Sequence, residues 1–150
     1  VKIKTLKINL WDKHTEGHYI IITTNGVINS HGHAVMGKGI AKAAANKYPH
    51  LSMKLGSEID KRGNKVFIWP EYKLITFPTK DNWRDNSKIS LIKSGVDQLY
   101  KAFISGECGS TNIYSPILGC GLGNLKWEDV AEAIHPQFMK FHGGLIFCEL

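Results

Sequence analysis

Apolar residues fall along this chain in two alternating rhythms. Near the amino end, Leu6, Ile8 and Leu10 recur at every second position with polar residues between them, which predicts one face of a first strand. Tyr19–Thr24 is a short, almost wholly apolar β-branched run, suited to a strand buried on both faces. Gly39 to Tyr48 is alanine-rich and reads as a helix stopped before Pro49. Leu51–Lys61 predicts a further helix, ended by the turn Arg62-Gly63-Asn64. Val66–Trp69 and Tyr72–Phe77 read as strands joined by a tight turn at Pro70-Glu71. In Ser87–Ile104 the period changes: Ile89, Ile92, Val96, Leu99 and Phe103 recur at helical spacing. Asn112–Ile117 is the next strand, Trp127–Ile134 the next helix, and Gly143-Gly144 leads into a closing strand, Leu145–Glu149. This alternation predicts one α/β domain over residues 1–150, a central mixed sheet with helices on both faces. Ligands of such sheets sit in the crevice beyond the carboxyl ends of the central strands.

Composition narrows this picture only a little. A chain of 150 residues is long enough to bury one sizeable core. Cys108, Cys120 and Cys148 are an odd set without a C-x-x-C pair, so neither a zinc site nor a disulfide framework is suggested. No metal or cofactor is expected. The amino-terminal segment lacks the apolar core of a signal peptide, and no apolar run approaches the ~20 residues that span a bilayer. The expectation is a soluble cytoplasmic monomer with no membrane partner. Nineteen Lys+Arg against thirteen Asp+Glu give a formal charge of +6, which favours polyanionic partners such as nucleotides, pyrophosphates or nucleic acid. Scattered lysines are mostly solvated surface, so charge alone does not choose among these.

Two strand-to-loop junctions carry candidate chemistry. In the first, the apolar run ends in Thr23-Thr24-Asn25-Gly26, and a loop then enters a helix through Gly37-Lys38-Gly39. Glycines let the backbone approach a ligand, and a helix N-terminus offers unpaired N–H groups to a phosphate. This is neither a Walker A loop nor Gly-x-Gly-x-x-Gly. In the second, Gly119, Gly121 and Gly123 follow a strand at alternate positions, where successive N–H groups can form an anion nest. Each loop alone is usually just a turn. Two such loops on separate strands of one sheet can converge on the two phosphates of a pyrophosphate.

At these residues the chain resembles the macrodomain family, whose members bind ADP-ribose. The resemblance runs through Val35-Met36-Gly37-Lys38-Gly39-Ile40-Ala41, then Gly119-Cys120-Gly121-Leu122-Gly123 with Trp127. Between them, Phe77-Pro78-Thr79-Lys80 with Trp83, Arg84 and Ser87 is similar to the branch holding the antitoxin that removes ADP-ribose from DNA thymidines. That branch has a relative acting on protein glutamates, and the extended first loop also resembles macrodomain proteins carried by phages. The resemblance implies a three-layer α/β/α sandwich. It places Thr24, Asn25 and Gly26 at the distal ribose and Met36, Gly37, Lys38, Gly39 and Ile40 along one side of the diphosphate. Gly119, Cys120, Gly121, Leu122 and Gly123 cover the other side by backbone contact, with Pro78 and Thr79 nearby. The family commonly has an aspartate after the first strand to read the adenine amine; here Asn9, followed by Leu10, stands in its place, with Asp12 as the alternative.

Lys80 is the expected catalytic residue, as an amine attacking the ribose carbon or an ammonium stabilising an oxyanion. A surface lysine paired with Asp81 or Asp85 is the plainer reading. Asn25 is the second candidate, holding ribose hydroxyls or a water, against a plain turn role before Gly26. Glutamate-specific relatives carry an acid where this chain has Gly123, whereas the DNA-specific ones carry glycine. Trp83 and Arg84 are candidates to stack on and ion-pair with nucleic acid, or Trp83 packs the loop onto the sheet. Cys120, without a base partner, reads as small filler. The expected function is an ADP-ribosyl glycohydrolase acting on nucleic acid or protein. The alternatives are a non-catalytic ADP-ribose reader, a pure nucleic-acid-binding module, and an ADP-ribose 1″-phosphate phosphatase using His31 or His33.

Overall fold

The computed structural model describes residues 2–149. Six strands form one sheet: β1 (Thr5–Leu6), β2 (Tyr19–Thr24), β3 (Phe67–Trp69), β4 (Leu74–Pro78), β5 (Ile113–Pro116) and β6 (Leu145–Cys148). Their order is β1-β6-β5-β2-β4-β3, and every pairing is parallel except β3 with β4. The helices are α1 (Leu10–Thr15), α2 (Gly39–Lys47), α3 (Leu51–Arg62), α4 (Ile89–Ile104) and α5 (Trp127–Met139).

The unbroken apolar run of β2 is explained by its place between β4 and β5, where both faces are covered. Ile20 and Ile22 point into a cluster with Ala41 and Ala44 of α2 and Leu51 and Leu55 of α3. Tyr19 and Ile21 point the other way, into a cluster with Ile92, Val96 and Leu99 of α4 and Val130 and Ile134 of α5. The expected mixed sheet between two helical layers is therefore present. Because the central strands are parallel, β2, β4 and β5 all end at the same edge, and α2, α4 and α5 all begin there.

Two expectations need correction. The strand read through Leu6, Ile8 and Leu10 ends at Leu6, which is exposed, and Leu10 opens a helix. The cause is Asn9: its side-chain oxygen accepts the Trp11 N–H at 2.9 Å and caps α1. Asp12 in the first turn and Lys13 and His14 in the last suit the helix dipole, so six residues suffice. The helix read as Trp127–Ile134 runs on to Met139 through Pro136. Pro136 lacks the N–H that would bond the Glu132 carbonyl, but both residues lie at exposed positions where water can replace that bond.

All three cysteines are free thiols, and no described helix is long and apolar enough to cross a membrane. A buried polar bond joins β3 to β4: the Trp69 indole N–H donates to Thr76 Oγ1 at 2.9 Å. Thr76→Val keeps the side-chain shape and leaves that donor unsatisfied, so it is expected to cost about 1–3 kcal/mol in urea unfolding. An unchanged midpoint would contradict this.

Candidate functional site

Three loops meet beyond the carboxyl ends of β2, β4 and β5. The first, residues 25–38, is not an open loop. Asn25 Oδ1 accepts the Val27 N–H at 2.9 Å while its Nδ2 donates to the Val35 carbonyl at 3.1 Å, so the amide clasps both legs of the excursion. The Val35 N–H donates to Val27 O at 3.0 Å, and an Ile28–Ala34 bridge makes the segment a small hairpin. At its tip Asn29 Oδ1 accepts the N–H groups of His31 and His33. The hairpin is fastened to α3 by a 2.8 Å bond from Ala34 N to Ser52 O. It also lies on Gly56, where any Cβ would overlap the Gly32 carbonyl and come within 2.9 Å of Ala34 N.

The middle loop, residues 79–88, closes on itself. Thr79 continues the sheet by donating its N–H to Thr24 O at 3.1 Å, and its own carbonyl accepts the Lys88 N–H at 2.9 Å. Its hydroxyl accepts the Ser87 hydroxyl at 3.3 Å. Lys80 follows, half-buried. Asp81, rather than Lys80, holds the ion pair: its carboxylate meets Lys88 Nζ at 3.0 Å and Asn64 Nδ2 at 3.1 Å. First the Asn64 bond and then the Lys88 bond draw its pKa below the ordinary aspartate value. Trp83 is 46% exposed, so it does not pack the loop onto the sheet, and the Arg84 guanidinium lies over its ring at 4.8 Å.

The third loop, residues 117–126, folds back through a 2.9 Å bond from Leu125 N to Gly119 O. Leu118 is buried and Leu122 is 67% exposed. Cys120 donates its thiol to Leu118 O, and burial pushes its pKa up to about 11, with Glu149 a smaller contributor.

The three loops are bonded to one another. Gly26 N–H donates to Asp81 O at 2.9 Å, joining the first to the middle loop. Ser87 N–H donates to Gly123 O at 2.9 Å and Asn124 Nδ2 to Asn86 Oδ1 at 2.9 Å, joining the middle to the third. Gly123 is required by space: a Cβ there would overlap Ser87 Oγ and lie 2.5 Å from Gly119 O.

The helix starts at this edge carry lysines, and of the three only α5 has acidic residues, Glu128 and Asp129, in its first turn. The helices that start here have Lys38, Lys88 and Lys126 at their N-caps, and no side chain caps any of them. Their first-turn N–H groups lack capping partners, and the dipole ends are positive. Gly39 takes φ +59 at the start of α2. Around Gly37, Gly39 and Gly121 there is open space. The arrangement is suited to an anion bound by backbone N–H groups between two loops.

No family model matches the chain. A DNA ADP-ribosyl glycohydrolase of Mycobacterium tuberculosis is 34% identical over 116 residues, which is 71% of this chain and 32% of that protein. The chain thus spans about a third of the length of the curated relatives it matches. The solved macrodomain of Mycobacterium tuberculosis DarG superposes with a TM-score of 0.73 at 26% identity, covering 89% of each chain. The chain belongs to the macrodomain family. Thermosipho africanus DarTG, solved in complex with ADP-ribose, has the same fold, with a TM-score of 0.72 at 22% identity over 89% of this chain and 38% of that one.

Within this macrodomain the expected ligand residues divide by how they are held. Leu10 and Met36 are buried in the core beneath α1 and α2, and Ile40 packs against it, so these three have main-chain groups rather than side chains to offer. Thr24, Pro78, Thr79, Gly119 and Gly123 are buried where the loops join, whereas Gly26 is half-buried and Gly37, Lys38, Gly39, Gly121 and Leu122 are exposed. Asn9 is exposed, with its oxygen engaged by Trp11, and Asp12 lies exposed on α1. The Asn25 amide holds the first loop at both ends through Val27 and Val35. A separate groove of about 390 Å³ lines the open edge of β3, between Glu58, Arg62, Trp69 and Lys101; none of the expected ligand residues borders it. Among the described residues no cluster of three or more His, Cys, Asp or Glu could hold a metal.

Sequence reading missed the supports. Asn64, Gly56 and Asn86 have no local signature of their role, because each acts on a loop far away in sequence.

Two tests follow from this geometry. Gly123→Ala is expected to destabilise the protein by about 1–3 kcal/mol through overpacking. The cost should shrink in part in a Ser87→Gly background, where the overlap with Ser87 is removed and that with Gly119 O remains; fully additive costs would contradict the contact with Ser87. The Asp81 carboxylate, with its folded pKa depressed, contributes stability above the ordinary value of 3.8 and loses it as pH falls through the lower folded value. Carboxyl NMR should place its midpoint below 3.8 and move it upward in Lys88→Ala; a midpoint at or above 3.8 in the wild type would refute the arrangement.

Proposed function

We propose that residues 1–150 form one macrodomain that binds ADP-ribose and hydrolyses its bond to a nucleic-acid base. The observation that carries this reading is the bonding of the Lys80 loop into both glycine-rich loops, through Gly26–Asp81 on one side and Ser87–Gly123 on the other. Two uncapped helix starts and the exposed glycines accept the diphosphate, and the loop bearing Lys80 lies between them. The distal ribose belongs at the Thr24–Gly26 end, and Asn9 or Asp12 at the adenine end.

In the reaction the bond from the anomeric carbon to the base nitrogen breaks, the base leaves with a proton, and a water oxygen ends on that carbon. Lys80 acts on this carbon in one of two ways. As a neutral amine it forms a transient carbon–nitrogen bond that water later cleaves; as an ammonium it offsets charge on a ribose oxygen. Ser87 fills the space at Gly123 where glutamate-specific relatives hold an acid, so no carboxylate enters from the third loop. This supports a base rather than a protein glutamate as leaving group. Trp83, exposed beside Lys80 and backed by Arg84, supplies a stacking surface for a neighbouring base. The DNA-directed naming of the relatives supports the same substrate class. His31, fixed at an exposed hairpin tip, offers less support for a phosphatase.

The test is release of ADP-ribose from a thymidine-ADP-ribosylated oligonucleotide. Lys80→Ala is expected to slow release by roughly 100-fold or more, the scale of a lost catalytic group, with ADP-ribose affinity little changed. Trp83→Ala should instead raise KM; stacking worth about 1–3 kcal/mol per base corresponds to a rise of roughly 5- to 150-fold. Equal release by Lys80→Ala would remove that residue from the chemistry. Binding without turnover on any ADP-ribosylated substrate would make the domain a reader.

A further inference from the structure

Asn64 lies in the turn between α3 and β3, sixteen residues before Lys80, and its side chain reaches across to the middle loop. Its Nδ2 donates to the Lys80 carbonyl at 3.1 Å and to Asp81 Oδ1 at 3.1 Å. Both partners are acceptors, so only the amide nitrogen can serve them, and a hydroxyl would satisfy one alone. The same side chain fills the space left by Gly26, where a Cβ would come within 2.9 Å of Asn64 Cγ and Nδ2. The Gly26 N–H then donates to Asp81 O, closing a ring of contacts around the backbone at Lys80.

The turn that presents Asn64 is itself fastened at both ends. Gly63 N–H donates to Ile59 O at 2.8 Å, and Val66 N–H donates to the Gln98 side chain of α4 at 2.9 Å. Asn64 is thus a fixed arm reaching from the sheet's outer side. The geometry points to Asn64 as the positioning residue that sets where Lys80 presents its amine to the bound ribose. The inference rests on the reading of Lys80 as the catalytic residue. Asn64 acts through the main chain of residue 80, and its effect is pre-organisation: a reacting group displaced by about 1 Å can lose two orders of magnitude in rate.

The experiment uses the whole chain with Asn64→Ala, and with Asn64→Ser as the variant that keeps one donor. On the ADP-ribosylated oligonucleotide, Asn64→Ala is expected to lower kcat by about 10- to 100-fold with KM and ADP-ribose affinity within about threefold. Asn64→Ser should fall between. Adding Asn64→Ala to Lys80→Ala should cause no further loss. An additive loss, or a change in KM alone, would overturn the inference.

A second readout does not depend on turnover. In protein labelled at lysine side chains, the Lys80 Cε signal should shift when ADP-ribose saturates the wild type, and that shift should shrink by more than half in Asn64→Ala at equal saturation. An undiminished shift overturns the positioning role. A shift in the wild type without turnover on any substrate overturns the hydrolase reading and leaves the positioning role standing. No shift in the wild type overturns both.

Discussion

Lys38, Lys88 and Lys126 each stand at the N-cap of a helix leaving the same edge of the sheet, so the positive ends of three helix dipoles meet lysine positions rather than capping residues. N-caps ordinarily carry Ser, Thr, Asp or Asn, and charges opposed to the dipole shift helix stability by about 0.3–1 kcal/mol each. Asp81 offsets one of the three by pairing with Lys88. Glu128 and Asp129 in the first turn of α5 oppose a second, which leaves α2, beside the first glycine-rich loop, with no acidic residue in its first turn. The parallel order of β5, β2 and β4 causes this concentration, since it sends all three helices off from one edge. Any anion bound by those free N–H groups takes the place of a cap, which makes anion affinity and local helix stability two aspects of one balance.

The rest of the site keeps that edge in shape at the rim of the two apolar clusters. Ala34, Met36 and Leu118 anchor the outer loops to the two apolar clusters, and hydrogen bonds among amides, hydroxyls and main chain join the loops to one another. Asn25, Asn29, Asn64, Asn86 and Asn124 recur as the fasteners, each bonding through its side chain. An amide both donates and accepts, bears no charge, and so leaves the local field to the lysines and helix ends. The middle loop is the keystone of this set, because both other loops bond to it and not, in these contacts, to each other.

Periodicity made the sheet, the long helices and the two glycine loops legible, because each depends on neighbours in sequence. The β2 run and the α4 stripe are cases where burial writes directly onto residue type. The misreading at Leu6, Ile8 and Leu10 arose where an alternating pattern crosses a helix cap. Asn9 matters there through a bond to Trp11, and a six-residue helix is too short to show its own period. Asn64 and Gly56 were silent for a different reason. Their partners lie at Lys80–Asp81 and at Gly32–Ala34, and nothing in local spacing announces a contact made by folding.

The two flanks of the sheet are brief: β1 has two residues and β3 three. Gln98 takes the Val66 N–H just before β3, withdrawing one donor from that margin. A flank this short, with a donor already satisfied, is a poor template for another chain to extend in cross-strand fashion. Short margins let copies of the chain crowd together without their sheets fusing.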